Sequence, residues 1–258
     1  MDQEVLGKTM PYEVDKLNAR FLETETREIL EWCLQELAPD LALTSSFQVS
    51  GVVLLDILHR LNPDIPVYFI DTGYHFPETL EFKDKICKDF RLSLRTIRPD
   101  ISRSEAESKY GRQLYKKDPD LCCRINKVLP IKTAKEQSGV SHWISALRRD
   151  QSASRADHKV FMRDESGHLR IHPLINWTWK YVWKYTLKHE LPYHPLYDQG
   201  YTSIGCFPPQ CTSKNDFENG ERAGRWKSSD KRECGIHLGL HEGKTAPKKQ
   251  KGELHEKK

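Results

Sequence analysis

Leu41-Ala-Leu-Thr-Ser-Ser-Phe-Gln-Val-Ser-Gly51 is the stretch whose reading decides the fold. It opens as a short apolar run suited to a buried strand, stops at a hydroxyl-rich turn, and leads into a helical apolar pattern over residues 52–61. The same alternation continues. Ile65-Pro-Val-Tyr-Phe-Ile70 reads as a second buried strand ending in Asp71-Thr72-Gly73, with a helix behind it over 78–90. Further strands are expected at 92–97 and 142–146 and a weaker one at 171–174. An amphipathic helix at 24–37 opens the domain and another at 179–189 closes it. Strands alternating with helices imply parallel pairing through right-handed crossovers. The expected fold class is α/β: an open, mostly parallel twisted sheet with helices on both faces, followed by a flexible C-terminal segment.

A chain of 258 residues can form one large domain plus a tail. Residues 1–20 are polar and charged and carry no signal-peptide core, and apolar runs such as 51–58 are too short to span a bilayer. Seven unevenly spaced cysteines do not suit a secreted disulfide framework, so a reducing cytoplasm is the expected compartment. The net charge of +4 says little about partners, because residues 242–258 hold six lysines against three glutamates. That tail lacks apolar periodicity and is expected to be disordered. Neither a nucleic-acid nor a membrane partner is expected.

In an open parallel sheet, ligands bind beyond the carboxyl ends of the strands. Three segments answer that description. The first is the turn with Ser45, Ser46 and Phe47, leading to a helix N-terminus where free N–H groups favour a phosphate. The second is Asp71-Thr72-Gly73, and the third places Arg148 and Arg149 just past the fourth strand, suited to bidentate anion contacts. Together they favour a nucleotide with an anionic group.

The cysteines add a second chemistry. Cys122, Cys123, Cys206 and Cys211 form two close pairs, which suits an iron–sulfur centre or a four-cysteine zinc site. Cys33 and Cys87 fall on apolar helix faces and read as ordinary buried thiols. Cys234 stands outside the quartet in Glu233-Cys-Gly-Ile-His237 and reads as a reactant, with Lys231, Arg232 and His237 near enough in sequence to lower its pKa.

These pieces converge on one family. Cys122-Cys-Arg-Ile-Asn-Lys-Val-Leu-Pro130, Asp71-Thr-Gly-Tyr-His-Phe-Pro-Glu-Thr79, Trp143-Ile-Ser-Ala-Leu-Arg-Arg-Asp-Gln-Ser152, Arg222-Ala-Gly-Arg-Trp226 and Glu233-Cys-Gly-Ile-His237 resemble the assimilatory sulfonucleotide reductases, over residues 40–238. The resemblance is strongest to the cluster-bearing adenylyl-sulfate reductases, and it implies an ATP-pyrophosphatase-like (adenine nucleotide α-hydrolase-like) fold. It implies reduction of adenylyl sulfate (APS), or of its 3′-phosphorylated form (PAPS), to sulfite. It further implies one [4Fe–4S] cluster on Cys122, Cys123, Cys206 and Cys211, with Lys127 coupling cluster to substrate. Cys234 would be the nucleophile, forming an S-sulfonated intermediate that thioredoxin or a similar thiol resolves. Arg148, Arg149, Arg222 and Arg225 would neutralise the sulfate and phosphate. Family members are often oligomers. One departure stands out: the family spaces its second cysteine pair as Cys-x-x-Cys, whereas four residues separate Cys206 from Cys211 here.

The resulting division is an N-terminal helical segment at 1–40, a nucleotide-binding core at 41–205, the second cysteine pair with a mobile catalytic-cysteine segment at 206–241, and the tail at 242–258. Two other classes remain at this level. One is an adenylating ATP pyrophosphatase, although the turn lacks the paired glycines that wrap pyrophosphate. The other is a zinc-stabilised nucleic-acid module, which leaves Cys234 and Asp71-Thr72-Gly73 without a role.

Overall fold

The structure, a computed structural model, describes residues 12–236 apart from 216, 228, 230 and 232. Among these residues the strands are β1 (Leu41–Thr44), β2 (Val67–Ile70), β3 (Leu94–Ile97), β4 (His142–Ser145), β5 (Phe161–Arg163) and β6 (Leu169–Ile171). They form one sheet in the order β3-β2-β1-β4-β6-β5, parallel except for the β5–β6 edge pair. Chain order runs outward from β1 to β3 on one side and resumes with β4 on the other. The direction of winding therefore reverses at β1, and a crevice opens there beyond the strand ends.

Alternation along the strands builds two layers. Leu41 and Leu43 of β1 join Val67, Phe69, Ile144 and Phe161 in the larger core, covered by helices Thr26–Leu37, Val49–His59, Pro77–Asp89 and Trp179–Lys188. Ala42, between them in sequence, faces the other way. It packs with Tyr68 and Trp143 against Ile131 of helix Leu129–Gln137. The N-terminal helices belong to the larger core too, since Phe21 and Trp32 pack their rings on Phe161 at 5.4 and 5.5 Å. No helix among the described residues is long and apolar enough to cross a membrane.

The observed elements depart from the sequence reading in four respects. Helix Val49–His59 begins at Val49, not at residue 52, because Gly51 leaves the room that Ser45 Oγ occupies: a Cβ there would lie 2.9 Å from it. The weak strand expected at 171–174 lies at Leu169–Ile171, and Pro173, with no N–H to donate, falls beyond it. Its hairpin partner β5 was not anticipated. The turn signal was present in Asp164-Glu-Ser-Gly167, where Gly167 N–H donates to the Asp164 carbonyl at 2.9 Å and Asp164 Oδ1 accepts from Ser166 and His168. Helical turns between residues 103 and 137 were not anticipated either. Among them Asp118 caps a short helix that starts at Pro119 and ends in the cysteine pair, Pro119–Cys123, and a wide π-helical turn, Arg124–Val128, follows at once.

Leu54 has no exposed surface, while Leu187 is 68% exposed. Leu54→Ala should lower unfolding stability by about 2–5 kcal/mol and Leu187→Ala by less than about 0.5 kcal/mol. Urea titration followed by circular dichroism measures both.

Candidate active site

The crevice at the reversal point is a cavity of about 180 Å³. Its walls start at the ends of β1, β2 and β4 with Ser45, Ser46, Ile70, Thr72, Ser145 and Leu147. Lys127, Arg222, Arg225 and Cys234 close the other side. Residues scattered over most of the sequence thus meet in one place.

Ser45, Ser46 and Thr72 face the cavity, but Phe47, Asp71, Gly73, Arg148 and Arg149 do not line it. Each has a geometric reason. Phe47 turns the chain at φ +56° and drives its ring into the core, 5.8 Å from Phe69. This bend points Ser45 and Ser46 outward at the N-terminus of helix Val49–His59. The cap residue there, Gln48, makes no capping bond with its side chain and instead accepts from Ile204 N–H at 2.9 Å. Asp71 closes a local turn by accepting from Gly73 N–H at 3.1 Å and pairs outward with Arg98. Arg148 is fully buried and spent on a frame: its guanidinium donates to Ser50 Oγ, Glu221 and Asp150, tying the helix N-terminus to residue 221. Arg149 points away from the crevice, donating to the His158 carbonyl at 2.8 Å and to Asn176.

Arg225 and Lys127 line both the crevice and a second, smaller cavity shared by Cys122, Cys123, Cys206 and Cys211. Arg225 reaches this position because residue 205 is a glycine; a Cβ there would stand 2.3–2.6 Å from the guanidinium. Its Nε donates to the Cys211 carbonyl at 2.8 Å and its plane lies over Trp226, 4.5 Å from the ring. The longer spacing of the second cysteine pair is absorbed by a turn. Cys211 and Thr212 N–H both donate to the Pro208 carbonyl, at 2.7 and 3.1 Å. Cys206 is pinned by a bridge to His75, and Thr72 Oγ1 lies 3.5 Å from its sulfur. All four thiols are buried, with Tyr74, Tyr115 and Trp226 around them. As the side chains stand, no group of three or more His, Cys, Asp or Glu among the described residues is placed to hold a metal ion.

Electrostatics separates Cys122 and Cys211 from Cys234. Burial, then their mutual proximity, pushes Cys122 and Cys211 up to about 12. Burial also raises Cys234, but Lys127, the Ile236 backbone N–H and Arg222 outweigh it and bring its pKa below the ordinary thiol value. The relation is mutual: burial would lower the Lys127 ammonium, yet the thiols of Cys206, Cys123 and Cys234 raise it. Burial, with Arg155 and Arg225 nearby, brings Arg222 down to about 10. Lys231, expected to act on Cys234, reaches Asp120 and the Trp226 ring. Arg232 and His237 lie outside the described residues.

Among the crevice residues, Gln48, His75 and Gln151 fall within the segments singled out from sequence but had no role assigned, and Arg155 lies outside them. It follows Arg148-Arg149-Asp-Gln-Ser by one helical turn, and the Arg pair drew attention away from the cation that reaches the cavity. His75 lies within the Asp71–Thr79 segment, but its place at the crevice depends on a contact of Nε2 with the Ile70 carbonyl at 2.9 Å.

Residues 40–214 match the phosphoadenosine phosphosulfate reductase domain family. A Geobacillus kaustophilus protein named adenosine 5'-phosphosulfate reductase is 40% identical over 214 residues, 82% of this chain and 89% of that one. A Halalkalibacterium halodurans protein of the same name is 34% identical over 234 residues, 90% of this chain and 100% of that one. The crystal structure of phosphoadenylyl-sulfate (PAPS) reductase from Candida auris, a phosphate complex, superposes with a TM-score of 0.68 at 30% identity, covering 75% of this chain and 94% of that one. FMN adenylyltransferase of Candida glabrata superposes with a TM-score of 0.53 at 18% identity, covering 81% and 71%. The sheet order and these neighbours agree with the adenine nucleotide α-hydrolase-like fold.

Because Lys127 helps hold the Cys234 proton off, Lys127→Met should raise the thiol pKa. The pH profile of Cys234 alkylation by iodoacetamide, followed by mass spectrometry, should then move to higher pH. An unmoved profile would detach Lys127 from the thiol.

Proposed function

The chain belongs to the phosphoadenosine phosphosulfate reductase family, and from that membership we propose that it reduces adenylyl sulfate to sulfite and AMP in sulfate assimilation. One observation carries the assignment of roles: Cys234, with its lowered pKa, opens into the same crevice as Lys127, Arg222 and Arg225. The names of the relatives at 34–40% identity support APS as the nucleotide.

The nucleotide lies across the strand ends, its phosphate at the Ser45–Ser46 turn and the N-terminus of helix Val49–His59. Lys127, Arg155, Arg222 and Arg225 offset the charge of the adjoining sulfate, while Arg148 and Arg149 hold the frame. The Cys234 thiolate attacks the sulfate sulfur. A sulfur–sulfur bond forms, the sulfur–oxygen bond to the phosphate breaks, and its electron pair leaves on AMP. A thiolate of thioredoxin or a similar dithiol then attacks the Cys234 sulfur, and sulfite departs with the electron pair of the bond it leaves. The donor's second thiol resolves the mixed disulfide, so the two electrons come from the dithiol.

The donor set of Cys122, Cys123, Cys206 and Cys211 fits a [4Fe–4S] cluster: four buried thiols, no competing carboxylate or imidazole, and an aromatic shell. Together they surround one small cavity of about 10 Å³. When bound, the cluster supplies a charged neighbour for Lys127 and Arg225. Protein prepared without oxygen should contain about four irons and four acid-labile sulfides per chain. One zinc and no labile sulfide would overturn the cluster.

Cys234→Ser should abolish sulfite formation while AMP binding and iron content stay at the wild-type level. Retained dithiol-dependent turnover would exclude Cys234 as the nucleophile. Steady-state kinetics of the wild type with APS and PAPS tests the nucleotide, and a higher kcat/KM for PAPS would overturn the choice of APS.

A further inference from the structure

Glu233 precedes the nucleophile by one residue and is nearly fully buried. Its carboxylate is saturated. Oε1 accepts from Arg155 Nε at 2.8 Å, Ser154 Oγ at 3.1 Å and Ser152 Oγ at 3.2 Å. Oε2 accepts from Arg155 Nη2 at 2.9 Å and Arg222 Nη2 at 3.0 Å. The Arg155 contact is the two-pronged fork that fixes direction as well as distance. On the other side of Cys234, Gly235 adopts φ +90° and sits against Val128, where a Cβ would be 3.2 Å from Cγ2. The nucleophile is thus held between two anchored neighbours, one polar and one in van der Waals contact.

We infer that Glu233, clamped by Arg155 with Ser152 and Ser154, is a positioning residue that seats Cys234 at the crevice and aims Arg222 into it. The inference rests on Cys234 being the nucleophile proposed above. A buried carboxylate is costly unless every lone pair is used, and here five donors converge on it. Consecutive Cα atoms are about 3.8 Å apart, so fixing residue 233 confines the reach of residue 234. Arg222 and Arg155 both line the crevice, so the carboxylate orients two of its cations at the same time.

The test compares Glu233→Gln, which keeps the shape and removes the charge, with Arg155→Lys, which keeps the charge and removes the fork. Hydrogen exchange of the peptide spanning 226–236 should quicken about ten- to a hundredfold in Glu233→Gln, as expected for losing charge-assisted bonds, with residues 41–145 unchanged. The kcat for sulfite formation should fall by a similar factor while AMP affinity stays within about threefold, and Arg155→Lys should fall between this variant and the wild type. If Glu233→Gln does not fold, the Ser152→Ala/Ser154→Ala double variant removes two donors without a charge and should move both readouts in the same direction by less. Wild-type exchange and kcat in Glu233→Gln would overturn the inference. So would exchange raised along the whole chain, the mark of general destabilisation. A wild-type protein that makes no sulfite from APS or PAPS would overturn the proposed function, while the exchange experiment would still decide whether Glu233 anchors the segment.

Discussion

Parallel strands cannot be joined by tight hairpins, so each crossover must pass over a face of the sheet, and the order of crossovers decides where the sheet leaves a gap. Here the chain winds from β1 through β3 and then restarts at β4 on the opposite side of β1. Every group placed in the crevice depends on that reversal. Ser45 and Thr72 emerge from neighbouring strand ends on one side and Ser145 and Leu147 on the other, and the long loops carrying the cations close over the opening. Strand interiors buried on both faces make those ends rigid. A thiol, two arginines and a lysine can then be held in a fixed relation without being close in sequence.

Lys127 and Arg225 connect the two halves of the site. Each lines the crevice and the cysteine cavity, and Arg225 also lies over the Trp226 ring. Burial acts on Cys122, Cys211 and Cys234 in the same direction, so the difference between them comes from which charges they face. Burial and the other thiols raise Cys122 and Cys211, outweighing Lys127 and Arg225 at Cys211. Cys234 faces Lys127 and Arg222 and gives its proton up more readily. This separates Cys122 and Cys211 from Cys234 even though all of them stand within one sulfur-rich region.

The anionic side chains in the region are spent on framing. Glu221 is held by Arg148, and Glu233 by Arg155 and Arg222. Buried charges of this kind are tolerated because each is paired and hydrogen-bonded. They also explain why arginines with similar sequence signatures end in different places. Arg148 and Arg149 follow a strand end as an anion site would require, yet their nearest partners are Glu221, Ser50, Asn176 and the His158 carbonyl. Arg155, one turn later, is the residue of that loop whose guanidinium borders the crevice.

Much of this was legible without coordinates. The apolar runs at Leu41 and Ile65 and the turns that end them determined a parallel α/β sheet, because buried strands need continuous apolar residues and their ends need polar ones. The spacing of Cys122-Cys123, Cys206 and Cys211 grouped four cysteines and set Cys234 apart, and the structure gathers the four around one small cavity with Cys234 on the crevice. Edge strand β5 was missed because a three-residue strand carries too short a pattern to stand out. Only the tertiary structure decided which cations face the crevice, how the long turn returns Cys211 to Cys206, and that Glu233 binds Arg155. Those outcomes depend on which side chains and carbonyls meet once the chain is folded, across 78 positions for Arg155 and Glu233, and on competition for a few donors and acceptors at short range. Local pattern holds no record of that competition, because an arginine at a strand end has the same sequence whether it meets a substrate or a buried glutamate.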